Sequence, residues 1–214
     1  MVTAIEIEPR HATVADLLHA LGDVAPERVR TVPPTGTATE ADLLRAGKPI
    51  CELVDGTLVE KAVGSLESML GMRLGALVQV FVDAHKLGVV LGEAGFIKLK
   101  KDLVRAPDVT FIPWSSLPTN GLPKEAFWKV APGLIVEVLS PGNTDAEIDR
   151  KLREFFDAKC QLAWVIDPAT KTAKVYTSAT TFTELTEAGT LDGGSVLPGF
   201  SLALKDLFAA PQRQ

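Results

Sequence analysis

The chain is poor in the residues that build several common kinds of site. It has two cysteines, Cys51 and Cys160, whose spacing fits neither a metal site nor a disulfide framework. A reducing, cytoplasmic setting is therefore expected. The three histidines, His11, His19 and His85, form no H-E-x-x-H pattern and have no triad context. Glycine-rich phosphate loops are absent. Ser140 sits in VLSPG without the G-x-S-x-G elbow, so it reads as a turn rather than a nucleophile. No apolar run approaches the ~18 residues of a membrane span. The start, MVTAIEIEPRH, shows no basic stretch leading into an apolar one, so neither a signal peptide nor a membrane partner is expected. Positive charge is also in deficit. A net charge of -5 and a pI near 5.3 exclude a strongly basic nucleic-acid binder, and any such contact has to use a local patch.

What is present is enough for a core. The 214 residues are 46% hydrophobic, which suits one medium domain with an appended arm. Residues 1–48 read as a helical arm and linker: a short helix near 13–21, a Pro-rich strap, then a helix over 39–46 between Thr39 and the Gly47/Pro49 stop. Residues 49–210 read as the main domain. Asp55-Gly56 between two β runs predicts a hairpin over 50–61. Leu66, Leu70, Leu74, Leu77 and Phe81 carry helical spacing over 62–86, with Gly88 as the stop. Strands are predicted at 89–93, 95–100, 108–112, 134–139, 162–167 and 172–177. A helix is predicted over 144–157, β-rich chain over 181–204 and a last short helix over 203–209. The fold class is α/β in the α+β sense, a mixed β-sheet flanked by helices. The strand at 134–139, the helix after it and the strand at 162–167 make a βαβ unit with parallel strands.

Three acids stand where core residues belong. Glu137 interrupts LIVEVL and by strand alternation shares a face with Ile135 and Leu139. Asp108 opens DVTFI directly after Pro107. Glu67 lies in register with Leu70, Leu74 and Phe81 and so looks inward. A buried carboxylate is costly unless neutralised, paired or bound to a metal. Thr144 and Glu147 have capping-box spacing, which starts the next helix near 144. Lys151 borders that helix's apolar face of Ile148, Leu152, Phe155 and Phe156, flanked by Arg150 and Arg153. Inward oxygen ligands plus one lysine suit a hard divalent ion, Mg²⁺ or Mn²⁺. Such an ion polarises a phosphodiester and acidifies a bound water, while the lysine stabilises growing charge. Each residue also has a plainer explanation as a turn acid, a helix-rim acid, an arginine partner or a snorkelling lysine.

Taken together, APDVTFI, LIVEVLSP, DAEIDRK and LAWVIDP resemble the Uma-type restriction endonucleases of the PD-(D/E)XK nuclease superfamily. The resemblance covers about residues 50–208, including ELVDGTLVE and VLPGF. It implies a restriction-endonuclease-like core with a metal at the sheet edge, DNA as substrate and Asp108 and Glu137 as metal ligands. It also implies that Glu67 occupies the helix position that often supplies an additional ligand, with Glu52 as a further acid nearby. One position departs from the superfamily: Leu139 stands two residues after Glu137, where its lysine usually lies. In the Uma-type pattern the lysine is on the following helix, which makes Lys151 the candidate. The expected activity is metal-dependent hydrolysis of DNA. Two alternatives stay open: a non-catalytic binding or scaffolding member of the same fold, assembling as a homodimer, and a β-rich interaction domain whose acids do not converge. For DNA contact, Lys98, Lys100, Lys101 and Arg105 with Arg150, Lys151 and Arg153 are a candidate basic rim. Trp114 and Trp128 are expected to pack the loop over 113–132 onto the body.

Overall fold

Alternation and helical periodicity shape most of the chain as expected. The computed structural model describes residues 11–210. In chain order the elements are α1 (Val14–Ala20), α2 (Glu40–Arg45), β1 (Cys51–Val54), β2 (Thr57–Glu60), α3 (Ser65–His85), β3 (Gly88–Gly92), β4 (Ile97–Lys100) and β5 (Leu103–Arg105). They continue with β6 (Val109–Pro113), β7 (Leu134–Val138), α4 (Asp145–Asp157), β8 (Leu162–Asp167), β9 (Thr172–Tyr176), β10 (Phe182–Leu185), β11 (Thr190–Asp192), β12 (Ser201–Ala203) and α5 (Leu204–Phe208).

The central sheet has six strands in the order β10-β9-β8-β7-β6-β3. The β7–β8 pair is parallel, as the crossover through α4 demands, and the other pairs are antiparallel. All five residues of β7 are buried because helices cover both faces of the sheet. Leu134, Val136 and Val138 pack towards α3 and α5, with Trp164 and Phe200 in the same cluster. Ile135 packs the other way, with Ile148, Leu152 and Phe155 of α4. Strand alternation thus sends Glu137 to the α4 face.

The hairpin does not join this sheet. β2, β1, β5 and β4 form a separate antiparallel sheet, and β11–β12 form a third pair. β5 is a strand the sequence pattern did not separate from KLKKDLVR, because its three residues are too few to show alternation. The β1–β2 turn is as expected: Asp55 and Gly56 have φ of 48° and 75°, the left-handed pair of a two-residue hairpin loop.

Two details of α3 differ from the periodicity. Its buried face is Leu70, Gly71, Leu74, Val78 and Val82, whereas Leu66 and Leu77 are exposed. It ends at Lys86, which takes the left-handed conformation, and Gly88 already begins β3. Gly88 is needed for close approach, since a Cβ there would lie 2.0 Å from the Ile112 carbonyl oxygen. By length and composition alone α3 is apolar enough to cross a membrane, although Glu67, Arg73 and Asp83 interrupt its apolar run. Its buried face packs against the central sheet.

The arm is stitched to the body. Leu17, Leu21 and Val24 pack against Val54, Val59 and Leu103. Arg28 donates to the carbonyls of Glu60 and Gly142, both at 2.8 Å, and forms a forked pair with the Glu147 carboxylate at 2.8 and 2.7 Å. That pair changes the start of α4. Thr144 accepts from the Glu147 N–H as a capping box requires, but the Glu147 carboxylate turns to Arg28 and Asn143 instead of back to the cap. The Thr144 hydroxyl donates to the Gly22 carbonyl at 2.5 Å. Gly22 has φ of 91°, and a Cβ on it would lie 2.6 Å from the Glu147 Cα. Gly22→Ala should therefore lower stability by about 2 kcal/mol. It should also speed tryptic cleavage in the arm, read by urea denaturation and limited proteolysis. Unchanged values for both would show that the arm does not depend on this contact.

Candidate active site

The site grows from the end of β7. The backbone of Asp108 extends the β6–β7 ladder, its N–H donating to the Val136 carbonyl at 3.0 Å. Its carboxylate continues that ladder by accepting from the Val138 N–H at 2.7 Å. The other carboxylate oxygen accepts from Lys61 Nζ at 2.9 Å. Asp108 is the accessible acid of the group, with its side chain 18% exposed. It lines a pocket of about 520 Å³ between the start of α3 and the end of the sheet, with Ala62, Gly64, Glu67, Gly71 and Val138 among the walls.

Glu137 lies deeper. One carboxylate oxygen, Oε2, accepts from Lys151 Nζ at 3.1 Å. The other, Oε1, is buried and has no hydrogen-bond partner among the described residues. Burial pushes the Glu137 carboxyl up, Lys151 pulls it back, and the nearby charge of Asp108 adds to the rise, leaving it raised to about 7. Lys151 itself is driven upward: burial opposes its charge, but the carboxylates of Glu137, Glu52 and Glu147 outweigh that penalty.

Behind these residues lies a largely buried network. Glu52 on β1 accepts from Arg105 Nη1 at 2.7 Å and from the Ala106 N–H at 3.0 Å, with Lys151 Nζ 3.5 Å away. Arg105 reaches on to Glu154 at 2.6 Å. For Glu52, burial favours the neutral form, but Lys151, Arg105 and Lys61 together overcome it and hold the carboxyl at about 2.

The predicted residues are thus placed as follows. Asp108, Glu137, Lys151 and Glu52 meet around the ends of β1, β6 and β7, and the charges acting on Glu137 are those of Lys151, Asp108, Lys61 and Glu52. Glu67 shares the pocket with Asp108, but its carboxylate turns back onto Gly64, where a Cβ would lie 2.0 Å from Oε2. Among the described residues no three His, Cys, Asp or Glu side chains gather as a metal-holding group. The basic rim does not form as drawn: Arg105 and Lys151 are buried, Lys98 pairs with Glu40, and Arg150 pairs with Asp55 and Glu154. Lys61 is the residue that sequence reasoning missed. Glu60-Lys61 reads as an ordinary charged strand end, yet by alternation Lys61 shares the parity of the buried Thr57 and Val59.

Comparison with known proteins adds a family and a fold. The family model described as "Uma2: Putative restriction endonuclease" matches residues 40–205. The crystal structure of a putative nuclease belonging to DUF820 from Anabaena variabilis superposes with a TM-score of 0.67 at 21% identity, covering 75% of this chain and 90% of that one. At that identity the likeness speaks for the fold alone. No curated protein matches the chain.

The Glu52 carboxyl is depressed to about 2 from 4.5, so its charge stabilises the fold fully above about pH 4.5, and that contribution is lost as pH falls towards 2. Glu52→Gln should cost about 3 kcal/mol at pH 7, because it leaves buried cations underpaired. The gap to wild type should narrow below pH 4. Urea melts at both pH values check this, and a gap that is constant with pH would contradict it.

Proposed function

This chain belongs to the Uma2 family, and on that premise we propose that it hydrolyses DNA phosphodiester bonds with a divalent metal held by Asp108 and Glu137. The observation that carries the reading is Glu137 Oε1, a buried carboxylate oxygen without a hydrogen-bond partner among the described residues, beside the accessible Asp108. A buried oxygen of that kind is costly to maintain without a function. The donors are hard carboxylates, and Mg²⁺ is commonly held by one or two carboxylates with water and substrate phosphate completing its shell. Two acids therefore fit the ion without a third.

When bound, such an ion polarises the phosphodiester and acidifies a water. The chain's own residues supply the rest. Asp108 is fixed by the Val138 N–H and Lys61, so its oxygens need little reorganisation. Lys151 holds Glu137 in place and supplies positive charge behind it. Glu67 stands on the pocket wall and would assist by turning its carboxylate away from Gly64. Hydrolysis adds one water across a P–O bond: the water oxygen bonds to phosphorus, the bridging bond breaks, and the departing oxygen takes a proton.

One observation favours a second reading. Asp108 and Glu137 each already carry a lysine, and no three His, Cys, Asp or Glu side chains form a metal-holding group among the described residues. In that reading the chain is a non-catalytic, homodimeric member of the fold that binds nucleic acid or a partner. Plasmid nicking with Mg²⁺ or Mn²⁺ separates the two. Wild type should nick, and Asp108→Asn and Glu137→Ala should each lose on the order of 100-fold or more. Equal nicking by wild type and Glu137→Ala would remove the catalytic reading.

A further inference from the structure

We propose that Lys61, at the end of β2, is the residue that donates to the scissile phosphate, and that Lys151 is a positioning residue that holds Glu137. The proposal rests on the nuclease reading above. Lys61 Nζ donates to the Ala106 carbonyl at 2.7 Å and to Asp108 at 2.9 Å. An ammonium has three N–H donors. These acceptors use two, and the third has no acceptor among the described residues. The whole Lys61 side chain is 4% exposed, held just behind the pocket wall, and its neighbour Asp108 faces the pocket. The next residues along the chain, Ala62, Val63 and Gly64, form the pocket edge. A phosphate oxygen seated against Asp108 would therefore fall within reach of the Lys61 head group.

Lys151 has a different setting. It comes from α4, on the opposite face of the sheet from α3. Its side chain, buried like that of Lys61, is directed at Glu137 and Glu52, neither of which lines the pocket, whereas Lys61 is directed at Asp108, which does. Leu139 packs with the α4 cluster and brings no cation. Lys61 is thus the lysine beside the accessible acid. Fixed charge in a dry site acts on developing negative charge more strongly than the same charge in water.

The test uses the full chain, with Mg²⁺-dependent nicking of supercoiled plasmid and, in EDTA, anisotropy of a labelled DNA duplex. Lys61→Gln and Lys61→Ala should each slow nicking on the order of 100-fold. Lys61→Gln, which keeps a donor for Asp108 and Ala106, should keep the wild-type circular dichroism spectrum and bind the duplex more weakly. Methylammonium should restore part of the Lys61→Ala rate. Lys151→Arg should keep both nicking and duplex affinity. Lys151→Met should lose rate and melting temperature together, without rescue by methylammonium. Full-rate nicking by folded Lys61→Gln, or amine rescue of Lys151→Met instead of Lys61→Ala, would overturn this assignment and leave the nuclease reading standing. A wild type that neither nicks nor binds DNA would overturn both.

Discussion

The buried contact between Glu52 and Arg105 organises the middle of this protein. Two opposite charges taken from water repay their desolvation only with good geometry and further hydrogen bonds. Here the Ala106 N–H donates to Glu52, Arg105 Nε donates to Glu154, and Lys151 adds an ion pair to Glu52. Satisfying those groups requires β1, β5 and α4 to be brought to one place. That requirement joins the hairpin sheet to the central sheet, although no strand pairs across the two. The same network delivers Lys151 to Glu137, so the acid inside β7 is tolerated because the charges around it are already arranged.

The site follows from that arrangement. β6 runs antiparallel to β7, so Asp108, just before β6, lies at the same end of the sheet as Val138, the last residue of β7. Asp108 takes the accessible place and Glu137 the buried one. Burial and neighbouring negative charge raise Glu137, while its lysine opposes them. A carboxylate kept in that balance, with one oxygen unengaged among the described residues, is poorly justified as a purely structural feature, which is why the proposed function rests on it.

Much of this was legible in the sequence because local patterns reported it directly. The Asp-Gly turn, the βαβ unit with α4 and the conflict between Glu137 and its apolar strand depend on neighbours within a few residues. What was not legible depends on long-range pairing. Arg28 and Glu147 are 119 residues apart, and their pairing turns a predicted capping box into half of one. Arg105 looked like rim charge because nothing nearby in sequence announces Glu52 as its partner. Lys61 was hidden for the same reason, its partner Asp108 lying 47 residues on. The rotation of the α3 stripe was missed because apolar residues occur on both sides of that helix, so periodicity alone does not choose between Leu66 and Val78.

The central claim is that Asp108 and Glu137 form one divalent-metal site. Calorimetric titration of Mn²⁺ into the metal-free chain tests it most directly. The account predicts one ion bound per chain, with binding lost in Asp108→Asn and in Glu137→Gln while both variants keep the wild-type circular dichroism spectrum. A wild type that binds no Mn²⁺, or folded variants that bind it as wild type does, would contradict it.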